Sequence, residues 1–491
     1  QQAIEYARLL DVPFAYSSNG QGFAEFDFLT GETHYFAMDA FPSPQALYAR
    51  FCAGGPNRPP LDDRQRSLLE RPCYYAPQSA KTPRYYQNVA INRVVAAVAA
   101  GRERLLLTLA TGTGKTFIAF QIVWRLLQSG LCHRVLYLAD RNVLVDQTQA
   151  NDFAPLAKEC HKIQVKWDLA HTATATAFRV YFGLYQQLID DDGALTFPAL
   201  FPPDFFDLII VDECHRGSAN EDSQWRSILD YFSFACQLGM TATPRETRYA
   251  SNSAYFGESL YRYSLAQGID DGFLAPFRVR TVTTNIGDGW RPAAGQLDAF
   301  GNPIPDRIYT NADYDTDLAL LDRTREVAQA ITDALRRSGD RMAKTIVFCP
   351  TEEAALRMRE ALAVLNADLM QATHGDYVVR ITASDKAGLA RLDAFASIGE
   401  PTPVIAVTSQ LLTTGVDTKM VKFIAIDKPI GSMTEFKQIV GRGTRLVEKH
   451  GKMDFTILDF RNVANLFADP QWDGEPEPNE NFGQGSDSGG G

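Results

Sequence analysis

Leu105-Leu106-Leu107-Thr108-Leu109, then Ala110-Thr111-Gly112-Thr113-Gly114-Lys115-Thr116, then a segment with Phe117, Ile118, Ile122, Val123, Leu126 and Leu127 on one side, is the stretch that decides the fold. It predicts a buried strand, a glycine loop and a helix N-terminus. Gly112 and Gly114 let backbone N–H groups turn inward around phosphate oxygens, and the helix dipole adds positive potential there. Lys115 supplies a point charge to the β- and γ-phosphates, and Thr116 a hydroxyl to Mg²⁺. Leu109 stands where the general phosphate-loop pattern has Gly or Ala.

Outward from this loop, the apolar runs Val135–Leu138, Phe206–Val211 and Cys236–Met240 alternate with helix-period segments such as Thr116–Gln128. Short runs without polar alternation are what strands of a parallel sheet look like when both faces are covered. The fold class is therefore α/β with a parallel sheet. A second block of the same kind begins near Pro276, with strands expected at Thr345–Cys349, Val404–Thr408, Phe423–Ile426 and Phe455–Leu458.

Phe206–Val211 leads into Asp212-Glu213-Cys214-His215. An acid at the end of a buried strand, followed by a second acid, suits metal-assisted hydrolysis. Asp212 can hold Mg²⁺ through a water, and Glu213 can orient and deprotonate the attacking water. Thr241-Ala242-Thr243-Pro244 follows the next strand and offers hydroxyls to the acidic loop. In the second block, Ser432-Met433-Thr434-Glu435 is a capping box opening a helix that runs into Gln438-Ile439-Val440-Gly441-Arg442-Gly443-Thr444-Arg445. If the helix continues, Arg442 and Arg445 share one face, and planar guanidinium groups suit a transferring phosphoryl. Thr408-Ser409 through Thr414-Gly415-Val416-Asp417 follows an apolar strand. Thr408 and Ser409 offer hydroxyls to a nucleic-acid backbone, Gly415 a tight turn, and Asp417 a partner for a ribose or for the arginines.

The chain has 491 residues, which predicts about three domains. A 45% apolar and 22% charged composition is ordinary globular usage and excludes disorder as the main state. The net charge of -11 means that a nucleic-acid site must be a local groove, because the average field repels phosphate. Seven scattered cysteines without a C-x-x-C argue against a disulfide framework or zinc ribbon and for a reducing, cytoplasmic setting. No apolar run approaches the ~20 residues of a membrane span. Residues 1–53 read as a short helix (Ala3–Leu10) and short strands at Phe14–Tyr16, Phe23–Phe28 and Thr33–Ala37. Residues 54–82 read as a linker from Gly54-Gly55-Pro56-Asn57-Arg58-Pro59-Pro60. Residues 83–268 and 269–462 read as the two α/β domains, and 463–491, with six acids and no Lys or Arg, as a disordered acidic tail or linker.

Taken in order, these elements resemble the superfamily 2 helicases. Tyr86-Gln87 resembles their adenine-reading glutamine; Leu138-Ala139-Asp140-Arg141 through Val145-Asp146-Gln147 resembles their strand-tracking motif; Tyr185-Gln186 resembles a T-Y-Q motif, with Leu184 in place of Thr. Within that superfamily, Asp212–Gly217, Ile269–Pro276 and Gln438–Arg445 resemble the motor subunit of type I restriction–modification enzymes. Gln2-x-x-x-Tyr6 and Pro13–Gly20 resemble the end of that subunit's nuclease domain, whose metal-binding residues precede the Q-x-x-x-Y element and are not in this sequence.

The resemblance implies two RecA-like P-loop domains in tandem, preceded by a remnant of an α/β nuclease domain. It implies ATP and Mg²⁺ as cofactors, held by Gln87, Thr111, Gly112, Thr113, Gly114, Lys115, Thr116, Asp212, Gly415 and Asp417. Catalysis would fall to Lys115, Asp212, Glu213, Arg442 and Arg445, and DNA contacts to Arg141, Gln147, Tyr185, Gln186, Thr408 and Ser409. The expected activity is ATP-dependent translocation on double-stranded DNA without DNA cleavage by this chain. The expected partners are modification and specificity subunits. A strand-separating repair helicase and a non-catalytic nucleic-acid scaffold are the alternatives.

Overall fold

The structure is a computed structural model that describes residues 2–76, 82–139, 152–190, 194–214, 226–242, 246–247, 250–284, 286, 289–310, 313–314, 320–413, 416 and 418–464. The chain divides into two compact units, one of Gln1–Leu109 with Gly114–Arg262, the other of Ala110–Thr113 with Tyr263–Gly491.

Unit 1 opens with a helix, Gln2–Leu10, and an antiparallel meander of β1 (Phe14–Ser18), β2 (Gly22–Asp27) and β3 (Glu32–Ala37). The β1–β2 turn is closed by the Asn19 carboxamide oxygen, which accepts from the N–H groups of Gln21 and Gly22. Helices Pro44–Ala53 and Asp63–Glu70 follow. The second lies inside the segment whose composition reads as a linker. A Gly55–Arg58 bridge closes a local turn at the start of that segment. Asp62 and Gln65 then form a capping box, Leu68 is fully buried, and the Arg125 guanidinium donates to the carbonyls of Leu68 and Leu69.

The main sheet of this part has seven strands: β4 (Arg104–Leu109), β5 (Val135–Ala139), β6 (Cys160–Lys162), β7 (Val180–Leu184), β8 (Leu208–Asp212), β9 (Cys236–Thr241) and, beyond the two-residue hairpin β10 (Glu246–Thr247) and β11 (Ala250–Ser251), β12 (Tyr261–Tyr263). Their order is β12-β4-β9-β8-β5-β7-β6, and the pairings from β4 through β6 are parallel. β5, β7 and β8 are buried along their whole length, as the apolar runs Val135–Leu138 and Phe206–Val211 predict for β5 and β8. The phosphate loop leaves the carboxyl end of β4 and the acid pair the carboxyl end of β8, with β9 between them. Ligands of open parallel sheets bind at such ends.

Unit 2 carries a six-stranded, wholly parallel sheet of β13 (Phe277–Thr281), β14 (Lys344–Phe348), β15 (Val378–Arg380), β16 (Ile405–Thr408), β17 (Val421–Ile426) and β18 (Phe455–Asp459), in the order β13-β18-β17-β14-β16-β15. Apolar clusters cover it, one including Val327, Ile331 and Met358 from helices Leu321–Arg337 and Glu352–Leu365, another including Phe436, Ile439 and Val440. Asp427, just past β17, accepts from both Arg323 and Arg461, all three nearly fully buried. A paired charge of this kind ties helix Leu321–Arg337 to the ends of β17 and β18.

The helix expected after Ser432 runs Met433–Val440, with the Ser432 hydroxyl accepting from the Glu435 N–H. It stops at Gly441, and residues 441–443 form a turn. Arg442 and Arg445 are therefore carried by a loop, and Arg445 forms an antiparallel bridge with Leu274. Two glycines within three residues end the helix before either arginine is reached.

Among the described residues, no helix is long and apolar enough to cross a membrane.

Candidate active site

The phosphate loop has the backbone its glycines permit. Gly112 sits at φ 96° and Gly114 at φ 83°, both left-handed. A Cβ at Gly114 would lie 2.8 Å from Gln87 Nε2, so the loop and this glutamine are packed together. Gln87 is nearly buried in helix Tyr85–Ala99, and its side-chain oxygen accepts from the Arg84 N–H at 2.9 Å. Helix Lys115–Gln128 begins immediately after Gly114, with Lys115 and Thr116 in its first turn, both partly exposed.

Lys115 Nζ lies 3.1 Å from Glu213 Oε1 and 3.5 Å from the Leu109 carbonyl. The sheet thus brings together the lysine after β4 and the acid after β8. Glu213 sits at φ 51°, left-handed for a residue with a side chain. Such a conformation costs about 1–2 kcal/mol and collects at functional sites, where the fold overrides it. It turns Glu213 back toward Lys115 while Asp212 stays in the strand.

Asp212 is buried, and its Oδ2 accepts from the Tyr137 hydroxyl at 2.7 Å. Burial pushes its carboxyl up to about 6; the Glu213 charge adds to the rise, and Lys115 and the Tyr137 hydroxyl oppose it. A buried carboxylate beside a second one is a site that a divalent cation would stabilise. Tyr137 escaped the sequence reading because in an apolar strand its ring reads as core packing; burial holds its hydroxyl protonated and donating.

Tyr185 and Gln186, expected at DNA, begin the short helix Tyr185–Leu188 after β7. The Tyr185 hydroxyl donates to the Asp212 carbonyl at 2.9 Å, so it braces the acid pair. The Gln186 side chain lies outside the described residues, as do Arg141, Gln147, Gly415 and Asp417. Thr241, at the end of β9, is fully buried; Thr243 lies outside the described residues.

Unit 2 includes Ala110–Thr113. Thr113 is buried, and its hydroxyl donates to the Ala110 carbonyl at 2.7 Å. The Thr444 hydroxyl donates to the Thr111 carbonyl at 3.3 Å, and the Arg445 guanidinium donates to the Gly112 carbonyl. Arg442 donates to the carbonyls of Val416 and Gln438. Thr408 ends β16 fully buried, so its hydroxyl is not presented to a nucleic acid in this arrangement. Ser409 is nearly buried, its carbonyl accepting from Lys428 Nζ at 3.4 Å.

Far from this site, Glu25, Asp27 and His34 bring potential metal-ligand atoms within 4.8 Å of one another. Arg50 already pairs with both carboxylates, at 2.7 Å and 2.6 Å, and the Tyr16 hydroxyl donates to Glu25. Arg50 and Tyr16 thus already occupy the carboxylate oxygens of the cluster.

A family model described as the res subunit of type III restriction enzymes matches residues 80–246. The endonuclease subunit of the type I restriction enzyme EcoAI of Escherichia coli is 48% identical over 97% of this chain and 58% of its own length. The corresponding EcoKI subunit of Escherichia coli (strain K12) is 29% identical over 77% of this chain and 34% of its own. The chain thus spans less than two thirds of either relative. A solved fragment assigned as the HsdR subunit of a type I restriction enzyme from Vibrio vulnificus YJ016 matches with a TM-score of 0.76 and 40% identity, over 98% of this chain and 82% of that one.

Proposed function

The chain belongs to the family of type I restriction enzyme endonuclease subunits, and on that premise we propose that it is the ATP-driven motor of such a subunit, moving along double-stranded DNA. The observation that carries the reading is the convergence of Lys115, Asp212 and Glu213 at the carboxyl ends of β4 and β8, with Glu213 held in a left-handed conformation.

The residues fit MgATP: two left-handed glycines, a lysine in the first turn of a helix, and a buried strand-end carboxylate. Bound MgATP supplies the phosphoanhydride to be cleaved and a divalent charge beside it. In this reading the N–H groups from Thr111 to Thr116 hold phosphate oxygens. Lys115 leaves Glu213 for the β- and γ-phosphates. Thr116 and Asp212 would hold Mg²⁺, with Tyr137 fixing the Asp212 rotamer. Glu213, released, orients a water and takes its proton. Gln87 reads the adenine, and Gly415 and Asp417 contribute to nucleotide binding. Arg442 and Arg445 are assigned to the transferring phosphoryl, and Arg141, Gln147, Gln186 and Ser409 to the DNA backbone. Modification and specificity subunits are the proposed partners, supplying sequence recognition.

A motor that tracks duplex DNA need not separate it, and no described element is assigned as a wedge between strands. The purified chain is therefore expected to hydrolyse ATP faster with duplex DNA than without it, while a fluorescent forked duplex stays annealed. ATP-dependent separation of the fork would replace the translocase with the strand-separating helicase. Absence of any ATPase would favour the non-catalytic scaffold.

A further inference from the structure

The loop that carries the two arginines is held carbonyl by carbonyl. Four consecutive carbonyls, Gly441 to Thr444, each accept a hydrogen bond. Thr444 Oγ1 donates to Gly441 at 3.0 Å, Thr418 Oγ1 to Arg442 at 2.9 Å, Lys452 Nζ to Gly443, and the Ala275 N–H to Thr444 at 2.8 Å. Three of these donors come from outside the loop. All of them lie in unit 2.

Lys452 is the outlier among them. It is 1% exposed, and burying an ammonium costs stability that an apolar side chain of the same length would not. The desolvation pushes its pKa down to about 7. The chain delivers it deliberately: past Arg445 it makes a turn at Glu448–His450 and returns through a Val447–Lys452 bridge, with backbone bonds of 3.0 and 3.2 Å. The ammonium then sits 5.0 Å from the centroid of the Phe455 ring. That same ring closes on Gly443 so tightly that a Cβ there would collide with it. Gly443 is thus clamped between the Lys452 amine on its carbonyl and the Phe455 ring beside it.

We propose that Lys452 is a positioning residue for Arg442 and Arg445: by fixing the Gly443 carbonyl, midway between them, it sets the backbone from which both guanidinium groups reach. The proposal rests on the reading of these arginines as transition-state groups. Preorganised donors act without reorganisation at the moment of reaction, and a misplacement of about 1 Å costs roughly 10²-fold in rate.

The test is single-turnover and steady-state ATP hydrolysis with duplex DNA, on the full chain, for wild type, Lys452→Met, Arg442→Ala/Arg445→Ala and the triple variant. Lys452→Met is expected to lower kcat by roughly 10²-fold with KM for ATP unchanged, and to cost nothing further once both arginines are gone. An unchanged kcat in Lys452→Met overturns the proposal, as does the same loss in the arginine-free background. Should Lys452→Met not fold, Thr418→Val removes the donor to the neighbouring Arg442 carbonyl with little change of volume. The same kcat loss at constant KM is expected, and a normal rate overturns the positioning role. If the arginine double variant itself matches wild type, the reading of the arginines fails. If that variant is impaired while Lys452→Met is not, the reading stands and this inference falls.

Discussion

Glu213→Gln is expected to bind ATP with near-normal affinity and to lose DNA-stimulated turnover by roughly 10²–10⁴-fold. The substitution keeps the side chain's size and removes its negative charge. The amide can still point at a water but cannot take its proton. It also breaks the ion pair with Lys115, 3.1 Å away, and so frees the lysine for phosphate without competition. Binding should therefore be preserved, while the chemical step fails. Lys115→Ala separates the roles from the other side: without the ammonium, ATP binding itself is expected to collapse. Nucleotide binding by fluorescence, beside steady-state ATPase, reads both. Near-normal turnover in Glu213→Gln would remove Glu213 from the chemistry.

Arg442→Ala and Arg445→Ala are expected to leave ATP affinity nearly intact and to lower turnover by roughly 10³-fold, the effect of an arginine on a transferring phosphoryl. The two should not be equal. Arg445 donates to the carbonyl of Gly112, a phosphate-loop residue, and so is the arginine already on that loop. Arg442 is held on the carbonyls of Val416 and Gln438 and must break those bonds to act. The larger loss is therefore expected in Arg445→Ala. Single-turnover hydrolysis with saturating duplex DNA measures it, and unchanged rates in both variants would return the pair to a structural role.

The sheets were legible from the sequence because parallel strands covered on both faces are mostly apolar, and β4, β8, β14 and β18 are such strands. The phosphate loop was legible because its backbone demands glycine at Gly112 and Gly114. What escaped is what depends on long-range packing. Tyr137 looks like core until β5 is placed beside β8 and its hydroxyl meets Asp212. Lys452 looks like a solvated lysine until the hairpin folds it under the arginine loop. The shared helical face of Arg442 and Arg445 was conditional on the helix continuing, and Gly441 ends the helix ahead of them. Composition did not reveal helix Asp63–Glu70 inside segment 54–82, because a capping box and the buried Leu68 act locally beside a short run of Gly and Pro.

The measurement that bears most directly on the motor is displacement of a fluorescent third strand from a triplex on linear duplex DNA by the purified chain. The account predicts displacement that requires ATP and Mg²⁺, is abolished in Lys115→Ala, and leaves the underlying duplex intact. ATP hydrolysis stimulated by the same DNA but with the third strand still bound would contradict it.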